Sequence, residues 1–183
     1  MGVRSGGSGR KGRSGGTVAS GGGNLSETEL RTLSDYTMKG EGINSALFRG
    51  NDKYQDEING LDRILDKSIV TKSETLYRGV QEKHFDQMVS DLKVGDTFTY
   101  KGYMSTTKSK DLAQTFSDWK GDKDLYVKVK INPGSKAIKI PSNARYADKR
   151  EAGKETLVGR NQKFKYNGVT TTKNAMIINL ESI

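Results

Sequence analysis

The dominant period of the apolar residues changes near residue 74, and this change limits the folds available to the chain. Before it, apolar side chains recur every three or four positions, as on helices that pack against a core. The stretches LSETELRTLSDYT and YQDEINGLDRILDKS each predict a helix, the first beginning with a capping box of Ser26 and Glu29. GINSALF predicts a separate short helix between them.

After residue 74 the pattern is that of short strands. It is clearest in DLYVKVKI, where apolar residues alternate with lysines. Further strands are predicted at ETLYRGV, TFTYKGYMSTT, KAIKIP, KETLV, QKFKY and AMIINLES, and helices at HFDQMVSDLK and KSKDLAQTFSDW. In the last helix, Leu112, Ala113 and Phe116 are predicted to face inward. Helices followed by many short strands predict an α+β fold with a largely antiparallel sheet or sandwich.

The composition excludes several classes of site. The 183 residues contain no cysteine, which excludes disulfides, a thiol nucleophile and thiolate metal ligands. A single histidine, His84, excludes zinc motifs built on paired histidines, and we expect no metal. There is no G-x-G-x-x-G after a strand and no P-loop, so the standard nucleotide-binding motifs are absent. No apolar run approaches the roughly 20 residues of a membrane span, and we expect neither a membrane association nor Sec-dependent export.

The first 24 residues differ in composition from the rest. They contain ten glycines, four serines, four basic residues and no acidic residue, so we expect residues 1–24 to be a disordered tail or linker. An Arg/Gly-type arm that contacts RNA is the alternative. The remaining residues, 25–183, carry 27 basic and 22 acidic side chains and are expected to form one domain. The net charge of +9 favours anionic partners, such as nucleotides, nucleic acid or acidic protein surfaces.

Three short stretches carry candidate site residues. In LYRGV, Arg78 lies within an apolar strand, either paired structurally or presented to an anion, because its planar guanidinium suits phosphate oxygens. GYMSTTKS ends a strand with three hydroxyls, which either cap the next helix or belong to a site. In EAGKETLVG, Glu155 begins a short apolar strand. It is either a salt-bridged surface residue or a carboxylate aimed into a cleft.

Taken in order, LYRGV, GYMSTTKSKDLAQTF and KETLVGRNQKFKY resemble the Arg–Ser–Glu class of mono-ADP-ribosyltransferases, which includes bacterial toxins and bacteriophage enzymes. The resemblance spans about residues 30 to 180 and includes SDYTMKGEGINSAL, which is similar to the Tyr-Thr…Ile-Asn segment of the family. This chain reads Ser-Thr-Thr where family members commonly read Ser-Thr-Ser. The resemblance implies a split-sheet α+β fold that binds NAD as a substrate in a cleft between the sheets, without a metal.

The resemblance also implies residue roles. Arg78 would grip the phosphates of NAD or the adjoining ribose, and the backbone of Gly79 would hydrogen-bond the nicotinamide amide. Ser105 would position the catalytic carboxylate, while the hydroxyls of Thr106 and Thr107 would support the strand end.

Glu155 would hold the 2′-hydroxyl of the nicotinamide ribose and stabilise the cationic sugar as nicotinamide leaves. Phe116 either stacks on nicotinamide or packs within its helix, where it stands four residues after Leu112.

One position departs from the family pattern. Members usually carry a glutamate or glutamine two positions before the invariant glutamate, and here that position is Gly153. Three interpretations are open. Glu151 reaches the site from the preceding loop and replaces the missing side chain, the acceptor is nucleophilic without the help of that side chain, or the chain is chiefly an NAD glycohydrolase. The loop SNARYADKREAGKE, with Tyr146 among basic residues, corresponds to the family's target-recognition loop and suits an acidic protein or a nucleic acid.

The sequence therefore predicts a glycosyltransferase that moves ADP-ribose from NAD to a protein or nucleic-acid acceptor. The alternatives are a glycohydrolase and a non-catalytic basic domain that binds nucleic acid. We expect a monomer that acts in bacterial cytoplasm, encoded by a phage or delivered by a virion.

Overall fold

The computed structural model describes residues 25–80, 91–117, 123–144 and 153–183. Three α-helices and eight strands are assigned there, together with a 3₁₀ turn over Ser142–Ala144. The helices are α1 (Glu27–Arg49), α2 (Gln55–Asp66) and α3 (Lys110–Thr115). The strands are β1 (Glu74–Gly79), β2 (Thr97–Tyr100), β3 (Met104–Thr107), β4 (Asp124–Ile131), β5 (Ala137–Lys139), β6 (Glu155–Val158), β7 (Gln162–Thr171) and β8 (Ala175–Ser182).

Helix α1 is one continuous helix, so the prediction of a separate helix at GINSALF was wrong. It begins at the predicted capping box, where Ser26 and Glu29 satisfy each other's backbone N–H groups. Glycine usually weakens a helix interior. Here Gly40 and Gly42 lie so close to the side chains of Tyr36 and Tyr54 that a Cβ atom at either position would crowd the aromatic ring. The helix ends at Gly50, whose left-handed backbone (φ 68°) is typical of a C-cap.

The strands form one mixed sheet in the order β2-β7-β8-β4-β1-β3-β6-β5. All neighbours pair antiparallel except β4 and β8, which are parallel. Strands β1 and β4 pair along the whole of β1, whereas the register of β1 with β3 joins only Tyr77 to Thr107. The sheet is therefore nearly divided at this joint, into a five-stranded half and a three-stranded half.

The sheet carries two clusters of buried apolar side chains, and the larger cluster extends from the five-stranded half into the three-stranded half. In the five-stranded half, the predicted alternation in β4 is confirmed, with fully buried Leu125, Val127, Val129 and Ile131. In the three-stranded half, Leu157 and Ile138 pack with the apolar faces of α1 and α2. The predicted α+β class, helices before a largely antiparallel sheet, is thus confirmed.

Several expectations fall outside the described residues. These are the disorder of the tail, most of the helix predicted at HFDQMVSDLK, and the recognition loop with Tyr146 and Glu151. Among the described residues, no helix is long and apolar enough to cross a membrane.

Candidate active site at the joint of the sheet

A cleft of about 980 Å³ opens where the two halves of the sheet meet. Helix α1 forms one wall, and the ends of β1, β3 and β6 form the floor. The predicted site residues of the described chain line it together, with the exception of Gly153: Arg78, Gly79, Ser105, Thr106, Thr107, Phe116 and Glu155. Residues separated by up to 77 positions are brought to one place because β1, β3 and β6 are neighbours in the sheet.

Arg78 and Gly79 end strand β1 at the cleft. The guanidinium of Arg78 is partly buried and donates a hydrogen bond from Nη1 to the Ser105 carbonyl (3.2 Å). Arginine has five N–H donors, so this contact orients the guanidinium while using one of them. Gly79 packs so closely on α3 that a Cβ atom would lie 2.4 Å from the Ala113 carbonyl oxygen. Glycine at this position is therefore required by packing, whatever else its backbone binds.

The three hydroxyl residues of β3 have three different environments. Thr106 is buried and donates its hydroxyl to the Thr156 carbonyl (2.7 Å), which ties β3 to β6. The Thr107 hydroxyl accepts from the backbone N–H of Ser109 (3.2 Å), at the entry to α3. The cap of α3 is Ser109 itself, so Ser105 and Thr106 are not the helix caps that a strand–helix junction suggests. Ser105 instead presents its side chain at the cleft.

Glu155 is the first residue of β6, at the lip of the strand as the sequence predicts. Its backbone pairs with Thr107 in the neighbouring strand, and its carbonyl accepts from Ile140 N (2.9 Å). The side chain is partly buried and lines the cleft. The carboxylate is therefore held on a paired strand beside the hydroxyls of β3.

Gly153 lies two residues before Glu155, outside the lining of this cleft, in the left-handed conformation (φ 70°). A side chain at this position would strain the backbone and place its Cβ 3.4 Å from that of Ser142. The local backbone is therefore suited to glycine. Family members usually carry a glutamate or glutamine at this position, and the left-handed backbone of this chain disfavours such a side chain.

Phe116 does not face inward as predicted. The helix ends at Thr115, so Phe116 is its C-cap residue and its ring is 51% exposed at the cleft. Of the three residues predicted to be inward, Ala113 is buried and Leu112 is half-buried. The short helix stops before it can carry this ring into the core, and stacking of Phe116 on nicotinamide stays a prediction.

The sequence reasoning missed the contribution of α1. Tyr36, Asn44, Phe48 and Arg49 line the cleft, but their helical spacing indicates only a packing face. Asn44 clamps the start of β3 by accepting from Tyr103 N (2.8 Å) and donating to its carbonyl (2.9 Å). The one available signal is the Tyr-Thr…Ile-Asn resemblance, which marks the helical start of the domain and includes two of these residues.

The cleft holds opposite charges and a buried phenol. Among the described residues, its cationic lining consists of Arg49 and Arg78, and its acidic lining of Glu41 and Glu155. The pKa of Tyr36 is raised to about 12, chiefly by burial and to a smaller extent by the charge of Glu155, while the hydrogen bond to Ser105 and the charge of Arg78 oppose the rise. Tyr36 is therefore neutral at physiological pH. No group of three or more acidic or histidine side chains converges as a metal site would require within the described ranges.

A nearly divided α+β sheet that brings an arginine, a serine and a glutamate into one cleft defines the Arg–Ser–Glu class of ADP-ribosyltransferases. The sequence comparison agrees, since residues 17–182 match the model of the ADP-ribosyltransferase exoenzyme family. The chain belongs to this family, which confirms the enzyme class expected from the three short stretches. No curated protein matches the chain significantly.

Solved structures show the same fold at low sequence identity. C3stau2 from S. aureus, solved with NAD, superposes with a TM-score of 0.70 at 16% identity, covering 87% of this chain and 88% of that one. The C3 exoenzyme from Clostridium limosum superposes with a TM-score of 0.64 at 19% identity, covering 87% of each chain. Exoenzyme S from Pseudomonas aeruginosa, in complex with human 14-3-3 protein beta and bound to carba-NAD, superposes with a TM-score of 0.68 at 20% identity. The match covers 88% of this chain and 76% of that one.

Proposed function

We propose that the protein cleaves NAD at the bond between nicotinamide and ribose and transfers ADP-ribose to a macromolecular acceptor. The observation that carries this proposal is the convergence of Arg78, Ser105 and Glu155 on one cleft. Family membership and the NAD-bound relatives support the choice of substrate.

The cleft suits a dinucleotide in size and charge. Its volume of about 980 Å³ lies at the upper end of ordinary ligand sites, as a ligand with two nucleosides requires. Arg49 and Arg78 offer guanidinium groups, which bind phosphate oxygens with matched geometry. Phe48 and Phe116 are 49% and 51% exposed and give the cleft flat apolar surfaces for the two ring systems.

The chemistry requires negative charge beside the reacting sugar. The bond between ribose C1′ and the pyridinium nitrogen breaks, and its electron pair leaves with neutral nicotinamide. The ribose develops oxocarbenium character, as in glycoside hydrolysis. The carboxylate of Glu155, at the first residue of the paired strand β6, stabilises that positive charge more in the transition state than in the ground state. The acceptor then bonds to C1′ and loses a proton.

The nature of the acceptor depends on the region before Glu155. Gly153 has no side chain to orient or deprotonate an acceptor, and its left-handed backbone disfavours replacement by glutamate or glutamine. This observation favours a second candidate, an NAD glycohydrolase in which water takes the place of the acceptor. Transfer to an intrinsically nucleophilic group remains compatible with the same geometry. Glu151 as a substitute base stays a prediction, as do the bacterial or phage setting, the monomeric state and the separate tail.

The test is incubation of the protein with labelled NAD and a bacterial lysate, with Glu155→Ala in parallel. Glu57→Gln, which changes a carboxylate paired with Lys39 on the helical surface, is the matched control. Label on protein or nucleic acid that depends on Glu155 supports transfer, and protease or nuclease treatment identifies the acceptor class. Nicotinamide release without label supports the glycohydrolase. If the wild type releases no nicotinamide, the proposed function is wrong.

A further inference from the structure

We infer that Tyr36, on helix α1, is a positioning residue that acts through the hydroxyl of Ser105. This inference rests on the proposed function and assigns to the helical wall a part in the reaction itself. Its basis is the hydrogen bond between Tyr36 Oη and Ser105 Oγ, at 3.1 Å. The two residues are 69 positions apart, so the contact exists only because α1 packs across the end of β3.

The phenol is held rigidly. Tyr36 is 3% exposed, and its ring packs edge-on against Tyr103, with centroids 5.8 Å apart and planes at 76°. On the other side, the backbone of Gly40 approaches so closely that a Cβ there would lie 3.1 Å from the phenol carbon Cζ. The ring therefore has little room to move, and its hydroxyl marks a fixed point beside Ser105.

Ser105 is thus fixed at two points. Arg78 donates to its backbone carbonyl, and Tyr36 contacts its side-chain oxygen. A serine hydroxyl on a strand otherwise rotates among three staggered positions, so the second contact selects one of them. Fixing the rotamer matters because Ser105 lines the cleft beside Glu155.

The direction of the hydrogen bond follows from the acidity of the two groups. A phenol is more acidic than an aliphatic hydroxyl and is the better donor, and burial keeps this phenol protonated. The observed geometry allows either hydroxyl to donate, and we assign the donor role to the phenol, which leaves the Ser105 proton to point elsewhere. Glu155 pairs with Thr107, two residues along β3 from Ser105, and both Ser105 and Glu155 line the cleft, so the carboxylate lies near this pair of hydroxyls. Tyr36 would therefore direct the serine proton toward the acidic side of the cleft.

The test is Tyr36→Phe, which removes one oxygen atom and leaves the ring. We expect kcat for nicotinamide release to fall about tenfold, the rate equivalent of one hydrogen bond, with KM for NAD nearly unchanged. Tyr103→Phe is the matched control. Its hydroxyl is also buried, but it donates to Asp62 (2.7 Å) and to the Ile58 carbonyl (3.1 Å), away from the cleft. This control should lower the melting temperature at least as much as Tyr36→Phe and leave kcat near wild type.

A double-mutant cycle shows whether Tyr36 acts through Ser105. In a Ser105→Ala background, Tyr36→Phe should have no further effect on kcat, because the hydroxyl it positions is gone. If the two losses multiply, or if Tyr36→Phe alone keeps wild-type kcat, the inference is wrong although NAD cleavage stands. Should Tyr36→Phe fail to fold, Gly40→Ala replaces it in the cycle, since it keeps the hydroxyl but pushes the ring, and the same outcomes decide.

Discussion

The two halves of the sheet are stabilised differently. In the five-stranded half, β4 pairs with β1 and β8 along nearly its whole length, and its inward side chains are completely buried. The three-stranded half consists of strands of three or four residues, and it buries some apolar side chains against α1 and α2 and others against the core of the five-stranded half. The five-stranded half is built on long strand pairings, whereas the short strands of the other half depend on packing against the helices and against the larger half.

The same division separates the candidate site residues. Arg78 lies on the five-stranded half, whereas Ser105 and Glu155 lie on the three-stranded half. The backbone register joins the two halves only at Tyr77 and Thr107. The hydrogen bond from Arg78 to the Ser105 carbonyl, the shared apolar core, and α3, which contacts both β1 and β3, add to this joint. We therefore expect substitutions in the first half to affect substrate binding mainly, and substitutions in the second to affect turnover. Variants on either side of the joint test this division.

The largest effect is expected for Glu155→Gln, which keeps the shape of the side chain and removes its charge. Loss of the carboxylate beside the developing cation should lower kcat about 10²–10³-fold, by analogy with removal of one preorganised electrostatic group. KM for NAD should change far less, as steady-state kinetics of nicotinamide release would show. A large rise in KM at constant kcat would contradict the proposed division.

Gly79→Ala tests the packing at the joint. The new methyl group would lie 2.4 Å from a backbone oxygen of α3, so the helix must shift. We expect a loss of about 1–3 kcal/mol in the free energy of unfolding, measured by denaturant titration, together with weaker NAD binding. Gly60→Ala on α2 is the control, because the atoms nearest to its Cβ belong to the side chain of Thr32 and not to a backbone. Equal stability of the two variants would show that α3 does not brace the cleft.

Arg78→Lys tests the binding role of the five-stranded half. A lysine keeps the charge but lacks the planar guanidinium that binds phosphate oxygens in pairs. KM for NAD should rise about tenfold, with a smaller change in kcat. Arg63→Lys, at an exposed position on α2, should behave as wild type. A fall in kcat that exceeds the rise in KM would place Arg78 with the catalytic groups of the other half.

The smallest effect concerns alkaline pH. In the folded protein the pKa of Tyr36 is about 12, above its ordinary value of 10, so folding favours the neutral phenol. This stabilisation is complete below pH 10 and is lost as the pH rises from 10 to 12. Relative to Tyr36→Phe, the wild type should lose on the order of 1 kcal/mol of unfolding free energy between about pH 9 and 11. Parallel pH profiles of the two proteins would contradict the burial of a protonated phenol.

The strand and helix periods allowed most of the fold to be predicted. The alternation in DLYVKVKI and the capping box at Ser26 act locally, and both are present as expected. The errors occurred where a distant partner decided the outcome. The separate helix predicted at GINSALF is the second half of α1, because Tyr36 and Tyr54 pack against Gly40 and Gly42 and the helix continues through them. Strand β7 runs past its predicted end at Tyr166 to Thr171, through an irregularity that includes Gly168 (φ 85°).

The sequence by itself determined the family and selected three candidate residues that line one cleft, because the motifs around Arg78, Ser105 and Glu155 are each carried by one short strand. Only the tertiary structure decided that α1 belongs to the site. The contacts of Tyr36 with Ser105 and of Asn44 with Tyr103 join residues 59 to 69 positions apart. Helical spacing records which residues face the core, but not which polar groups they meet there. Those partners depend on how the helix packs across the sheet, which no local pattern specifies.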